Sequence, residues 1–244
     1  MTRRRWIADE VSGNYAALTG QHADHLVRVL RARVGQEFDI ASGSVVRRGR
    51  ITAIMGQRIE FELGEEMPAA STLNLTLLLA VFKFDRMEWA IEKCTELGVA
   101  KIVPVIAQRT DLHLASASIK RVERWRRIAL QAAEQSRCAA PPEIASPLKL
   151  QHAAKLTGNL RIVLGETEQQ THLRDVLSSD VPVGETLLAV GPEGGWAEDE
   201  IQLFQDAGWL AASLGCTILR AETAAIVATA IVMSEFARSP ILAQ

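Results

Sequence analysis

The hydrophobic period changes once along the chain, near residue 70, and a chain that switches period folds as two units rather than one. Before the change, apolar residues come in short alternating segments: Glu37-Phe38-Asp39-Ile40, Val45-Val46, Arg50-Ile51-Thr52-Ala53-Ile54 and Arg58-Ile59-Glu60-Phe61-Glu62-Leu63. Gly35, Gly43, Gly49, Gly56 and Gly64 punctuate them every six to eight residues, which predicts a small antiparallel barrel with tight turns. Gly20 to Val34 departs from this pattern and reads as a short helical stretch carrying His22, His25 and Arg28.

After Pro68-Ala69-Ala70-Ser71-Thr72 the pattern becomes continuous apolar strands alternating with longer helical segments. Strands are predicted at Leu73 to Phe82, Ile102 to Ile106, Leu160 to Leu164 and Thr186 to Val190. Helices are predicted at Asp85 to Leu97, Ile119 to Ser136, Glu198 to Ala207 and Thr223 to Ala237. Such alternation makes an α/β unit, a parallel sheet covered on both faces. The expected division is a barrel at 1–70 and an α/β domain at 71–244.

Composition narrows the class. Of 244 residues, 48% are hydrophobic and 23% charged, which excludes a disordered or low-complexity chain. The longest strongly apolar run, Ala224 to Met233, is ten residues, against the roughly 20 that span a bilayer, so no membrane partner is expected. Arg3, Arg4 and Arg5 resemble the start of an export signal, but Asp9 and Glu10 fall where its apolar stretch would lie. Cys94, Cys138 and Cys216 are odd in number and far apart, so neither a disulfide framework nor a metal site is expected, and a reducing cytoplasm is the simplest location.

The net charge of −2 conceals an asymmetry: residues 1–60 carry +4, residues 83–137 carry +4 and residues 161–244 carry −8. Arginines cluster at Arg3-Arg4-Arg5, at Arg47-Arg48 with Arg50, and at Arg28, Arg31 and Arg33. One such cluster is as readily a solvated face as a binding surface. Three in sixty residues favour a nucleic-acid surface, because guanidinium groups bind phosphate bidentately and release counterions from the polymer.

In open parallel sheets ligands settle beyond the carboxyl ends of the strands. Three junctions there are unusual: Val163-Leu164-Gly165-Glu166, Val190-Gly191-Pro192-Glu193-Gly194-Gly195-Trp196, and the stretch from Leu214 to Ala224. The second is a side-chain-poor loop able to cradle a nucleoside, or simply a tight strand-to-helix turn; it matches neither dinucleotide nor P-loop spacing. In the third, Arg220 and Glu222 stand before an almost wholly apolar helix, with Thr223 placed to cap it. Charges there need either a ligand or each other.

Four segments in order, Lys93-Cys94-Thr95-Glu96-Leu97-Gly98-Val99, Gln131-Ala132-Ala133-Glu134-Gln135-Ser136-Arg137, Gly191-Pro192-Glu193-Gly194-Gly195 and Ile218-Leu219-Arg220-Ala221-Glu222-Thr223-Ala224, resemble the ribosomal small-subunit methyltransferase E family over the whole chain. The resemblance implies a SPOUT-type α/β domain with a C-terminal trefoil knot, preceded by a small PUA-like β-barrel. It implies S-adenosyl-L-methionine as cofactor, N3 of a uridine in small-subunit rRNA or the 30S particle as target, and a homodimer. Carried over residue by residue, it places the cofactor against Leu164, Gly165 and Glu166, against Gly191, Pro192, Glu193, Gly194 and Gly195, and against Leu214, Gly215, Ile218, Leu219, Arg220 and Thr223. Where the family commonly has Pro-Arg, this chain has Cys216-Thr217, which leaves Arg220 as the cation of that loop.

N3 of uracil must shed a proton before it accepts a methyl group, so the site has to stabilise a developing anion. The expected catalytic pair is Arg220, stabilising that anion or a nearby phosphate, and Glu222, orienting Arg220. RNA is expected to be gripped by Arg3, Arg4, Arg5, His25, Arg28 and Arg31, with the basic helix of Arg121, Arg124, Arg126, Arg127 and Arg137 assisting. The competing readings are a SPOUT methyltransferase acting on another RNA and a non-catalytic RNA-binding assembly factor.

Overall fold

The computed structural model describes residues 5–42, 45–67, 73–136, 138, 140–165, 168, 170–178 and 184–237. Two compact units divide the chain: Met1–Ala70 with Ala133–Pro141, and Ser71–Ala132 with Pro142–Gln244. Assignment of Ala133–Pro141 to the first unit differs from a simple cut near residue 70; the period change does not reveal it, because a helix runs through both sides of that boundary.

In the first unit, β1 (Arg5–Ile7), β2 (Glu10–Ser12), β3 (Tyr15–Thr19), β4 (Glu37–Ser42), β5 (Val45–Met55) and β6 (Arg58–Met67) form one sheet in the order β1-β4-β5-β6-β3-β2. All pairs are antiparallel except β1 with β4. The two edges of the sheet belong to one short stretch of chain: Ala8 N donates to Ala41 O on β4, and Asp9 N donates to Ala17 O on β3. Leu18, Ile40, Ile51, Ile59 and Phe61 fill the interior. Gly49 lies within β5 rather than at a turn, because a Cβ there would stand 2.5 Å from Ile40 Cγ1. The helical stretch is shorter than predicted: α1 (Gly20–Asp24) passes into a π-helical turn at His25–Val29.

The second unit holds a seven-stranded, all-parallel sheet. Its strands are β7 (Leu75–Ala80), β8 (Lys101–Ile106), β9 (Glu143–Ile144), β10 (Leu148–Lys149), β11 (Leu160–Leu164), β12 (Thr186–Val190) and β13 (Leu210–Ala212). The order is β10-β8-β7-β12-β11-β13, with β9 also beside β8. Between them run α2 (Phe84–Glu96), α3 (Leu112–Ser136), α4 (Leu150–Ala153), α5 (Leu173–Ser178), α6 (Glu198–Asp206) and α7 (Ala221–Ala237).

Alternate residues of the central strands face opposite ways, so Leu75, Leu77, Leu79, Ile162 and Leu188 pack with α2, α3, α5 and α7. Leu78, Ala80, Val103, Val163 and Ala189 pack with α4 and α6 through Trp196, Phe204 and Trp209. Both faces are therefore dry, which is why β7 and β12 read as unbroken apolar runs. α7 begins at Ala221, two residues before the predicted start, so Glu222 and Thr223 lie in its first turn and Thr223 does not cap it.

Candidate functional site

The carboxyl ends of β11, β12 and β13 open onto one cavity of about 240 Å³. That is near the lower end of the roughly 300–1,000 Å³ common for small-molecule sites, so it fits a compact or folded small molecule and not a polymer. The three predicted junctions converge on it. Leu164 and Gly165 come from the first, Gly191, Pro192, Glu193 and Gly195 from the second, and Leu214, Gly215, Ile218 and Leu219 from the third. Glu166 lies outside the described residues.

Backbone geometry explains the glycines of the middle junction. Gly195 N donates to Pro192 O at 2.9 Å, closing a turn in which Gly195 takes φ +68°, a conformation that side chains with Cβ disfavour. Trp196, next along, lines the cavity with its indole Nε1 buried and without a hydrogen-bond partner among the described residues. A buried donor of this kind is costly unless a ligand accepts from it.

Residues distant in sequence hold this loop in place. Arg109, on the turn after β8, donates from Nη1 to Gly194 O at 2.6 Å and itself lines the cavity. Buried Glu200 accepts from Gln108 N at 2.7 Å and from Ala197 N at 2.9 Å, tying the same turn to the head of α6. Arg86, in the first turn of α2, donates from Nη1 to Glu193 Oε1 at 2.7 Å and lies 3.8 Å from Glu222 Oε1.

Several predicted assignments change as a result. Glu222 is 4% exposed and pairs with Arg86, so it does not orient Arg220; its Oε2 has no hydrogen-bond partner among the described residues. Its place in the first turn of α7 lets the helix dipole share in balancing the charge. The Arg220 side chain is exposed and does not line the cavity. Gly194 contributes its carbonyl to Arg109 rather than a wall of the cavity. Thr223 faces a different groove, formed by α2 and α7 with Trp89, Ile226 and Val227.

Arg86 and Arg109 escaped the sequence reading. Arg109 was within reach, because it follows the carboxyl end of β8 and the rule applied to the other strands applies equally there. Arg86 sits in an ordinary helix first turn and carries no sequence signal of its own, whereas Glu200 belongs to the Ala197-Glu198-Asp199-Glu200 segment that reads as the cap of α6, as its bond from Ala197 N bears out.

The basic clusters divide into arginines bound within the fold and residues that stay exposed, Arg28 among the latter with only a 3.7 Å approach to Asp24. Arg47 donates to Gly64 O, Gly13 O and Asn14 Oδ1, fastening the β2–β3 turn to the end of β6. Arg50 faces Glu37, and Arg124 holds Glu88 with two hydrogen bonds of 2.6 and 2.8 Å. Arg121 stands 4.7 Å over the Phe84 ring, and Arg126 bonds Glu123 and Ile144 O. Each of these arginines is engaged by a partner within its own unit. His25, Arg28 and Arg31 are exposed, with the Trp6 ring 5.6 Å from His25; Arg3, Arg4 and Arg137 lie outside the described residues.

His22, beside His25, is bound inside the first unit. Its Nε2 lies 2.8 Å from Glu134 Oε1 and its Nδ1 3.4 Å from Asp9. The Glu134 carboxylate, aided by Asp9 and opposed by burial, raises the His22 pKa to about 8. Cys94, buried against Thr229, has its thiol pushed up to about 12 by burial, which makes it inert at neutral pH. Among the described residues, no three His, Cys, Asp or Glu side chains gather as a metal site, and no helix is long and apolar enough to cross a membrane.

A parallel sheet whose strand ends open on a glycine-lined cavity defines the class: residues 69–233 match the RNA methyltransferase domain family. The chain is 32% identical to ribosomal RNA small subunit methyltransferase E of Rickettsia conorii, over 87% of both proteins. It is 35% identical to the same enzyme of Synechocystis sp., over 87% of this chain and 71% of that one. It therefore belongs to the ribosomal RNA small subunit methyltransferase E family. Its fold is similar to that of the Neisseria gonorrhoeae family member solved bound to S-adenosyl methionine, with a TM-score of 0.81, 29% identity, and coverage of 96% of this chain and 98% of that one.

Proposed function

We propose that this protein transfers the methyl group of S-adenosylmethionine to N3 of a uracil in small-subunit ribosomal RNA, in the cytoplasm and on the assembled subunit. The observation that carries the reading is the single cavity onto which the three junction loops converge in a member of this family. Its residues suit the cofactor: Leu164, Val190, Leu214 and Leu219 offer apolar contact, Trp196 Nε1 offers a buried donor, and Glu193 and Glu198 place carboxylates near a cation. When bound, S-adenosylmethionine supplies an electrophilic methyl group on a positively charged sulfur.

The chain's own residues do the rest. Gly191, Pro192 and Gly195 let the loop backbone approach the ligand closely, and Arg86 and Arg109 fix that loop from outside. Arg220, exposed beside the cavity, takes an RNA phosphate, one of the two roles the sequence allows it. Arg5, His25, Arg28 and Arg31 grip the RNA from the first unit, for which we adopt the PUA-like barrel reading, and the target base has to leave its stack to reach the cofactor. We further read the second unit as trefoil-knotted, in keeping with β13 returning to pair with β11. A homodimer fits the groove of half-exposed Trp89, Ile226 and Val227 on α2 and α7.

The test is methyl transfer from labelled S-adenosylmethionine to small subunits prepared from cells lacking this protein, followed by mass spectrometry of the nucleosides. One new N3-methyluridine is expected. Methylation at a ribose or at another base would contradict the reading, and no heat on titration with S-adenosylmethionine would favour an assembly factor.

A further inference from the structure

Among the described residues lining the cavity, Arg109 is the one cationic side chain, and the other charged ones are Glu193 and Glu198. It is also held in place. Its Nη1 is fixed to Gly194 O at 2.6 Å, and the turn that carries it is braced on both sides of the residue. Gln108 N donates to the buried Glu200 carboxylate, Ala107 N donates to Thr110 Oγ1 at 3.1 Å, and Thr110 Oγ1 donates to Val81 O at 3.2 Å. One N–H of the guanidinium serves the Gly194 carbonyl; a guanidinium carries five, so others are free to serve a ligand. The residue is exposed, which places it on the solvent side of the cavity.

We infer that Arg109 is the catalytic cation of the reaction proposed above: its guanidinium neutralises the uracil N3 anion, in place of the Arg220 that the sequence singled out. The inference rests on that reaction. In the step, the N3–H bond breaks and the proton passes to water. The N3 lone pair then forms the N–CH3 bond while the S–CH3 bond breaks and its electron pair stays on sulfur. A donor fixed beforehand needs no reorganisation as the negative charge develops, and removal of one such donor typically costs about 10²–10³-fold in turnover. Arg109 meets that condition, whereas Arg220 is exposed outside the cavity lining.

The test compares wild type, Arg109→Ala, Arg109→Lys and Arg220→Ala, with affinity for S-adenosylmethionine measured by calorimetry without RNA and turnover on small subunits measured across pH. Arg109→Ala is expected to weaken cofactor binding only several-fold, through release of the Gly194 carbonyl, and to lose about 100-fold in kcat at saturating cofactor and neutral pH. The deficit shrinks at alkaline pH, where N3 ionises unaided, and on subunits carrying 5-fluorouracil, whose N3 proton is more acidic. Arg109→Lys recovers part of the loss, and Arg220→Ala raises KM for the subunit with kcat little changed.

Cofactor affinity falling in step with turnover would assign Arg109 to the methionyl carboxylate and overturn the inference. So would a deficit constant with pH, or one confined to KM. A wild-type protein that binds cofactor but methylates no uracil would overturn the reaction itself, and the inference with it.

Discussion

The clustered arginines of the first unit and two single arginines of the second are used in different ways. In the first, where arginines crowd the sequence, Arg47, Arg50 and Arg58 lie along the surface against partners of the same unit: Arg58 alone bonds Glu10, Glu60 and Tyr15. In the second, single arginines far apart in sequence, Arg86 and Arg109, reach one glycine-rich loop and set its shape. A high count of basic residues therefore does not by itself make a binding surface, and a sparse stretch can hold the two that matter most to a site. What decides is where each guanidinium finds its acceptor: within the sheet framework for Arg47 and Arg58, on the cavity loop for Arg86 and Arg109.

Substitutions sharpen that contrast, beginning with the largest effect. Glu200→Ala leaves Gln108 N and Ala197 N buried without their acceptor, and is expected to cost about 3 kcal/mol, read as a lower denaturant midpoint. Arg86→Ala removes the counter-charge of buried Glu222. The 3.8 Å separation and the partial exposure of Arg86 hold the cost to about 1–2 kcal/mol, with weaker cofactor binding as Glu193 is released.

In the first unit, His22 ties stability to pH. Its folded pKa of about 8 lies above the ordinary 6.5, so its ion pairs contribute fully below pH 6.5 and are lost as pH rises through about 8. A fall of about 1–2 kcal/mol over that window is expected, flattened in His22→Gln and read from thermal unfolding at several pH values.

The smallest effects distinguish firmly bound Arg47 from exposed, loosely paired Arg28. Arg47→Ala is expected to cost about 1 kcal/mol of stability and to leave RNA affinity unchanged. Arg28→Ala does the reverse: stability stays constant while the slope of log affinity against log salt falls by about 1. Equal effects of the two on RNA binding would break the contrast.

The sequence was most legible where physics repeats. β11 and β12 are found at their predicted limits, because strands buried on both faces are continuous apolar runs. β9, β10, β13 and α4, of two to four residues, are too short to show any period. α3 starts seven residues before Ile119 because Asp111 accepts from His113 N at 2.7 Å and caps it, while exposed Leu112 blurs the amphipathic pattern. Within the site, the glycine loops were legible because few backbones tolerate such spacing. Their partners were not, since the approach of Arg86 to Glu193 across 107 positions is a product of the fold.

Cofactor binding to Gly191→Val is the most direct test of the claim that the three loops form one pocket. A Cβ at Gly191 would stand 3.2 Å from Trp196 Nε1, so a branched side chain there has to push into the cavity. Titration of the wild-type protein with S-adenosylmethionine should show saturable binding at one site per chain, and Gly191→Val should weaken it at least tenfold while remaining folded. Undiminished binding by Gly191→Val would place the cofactor elsewhere and contradict the claim.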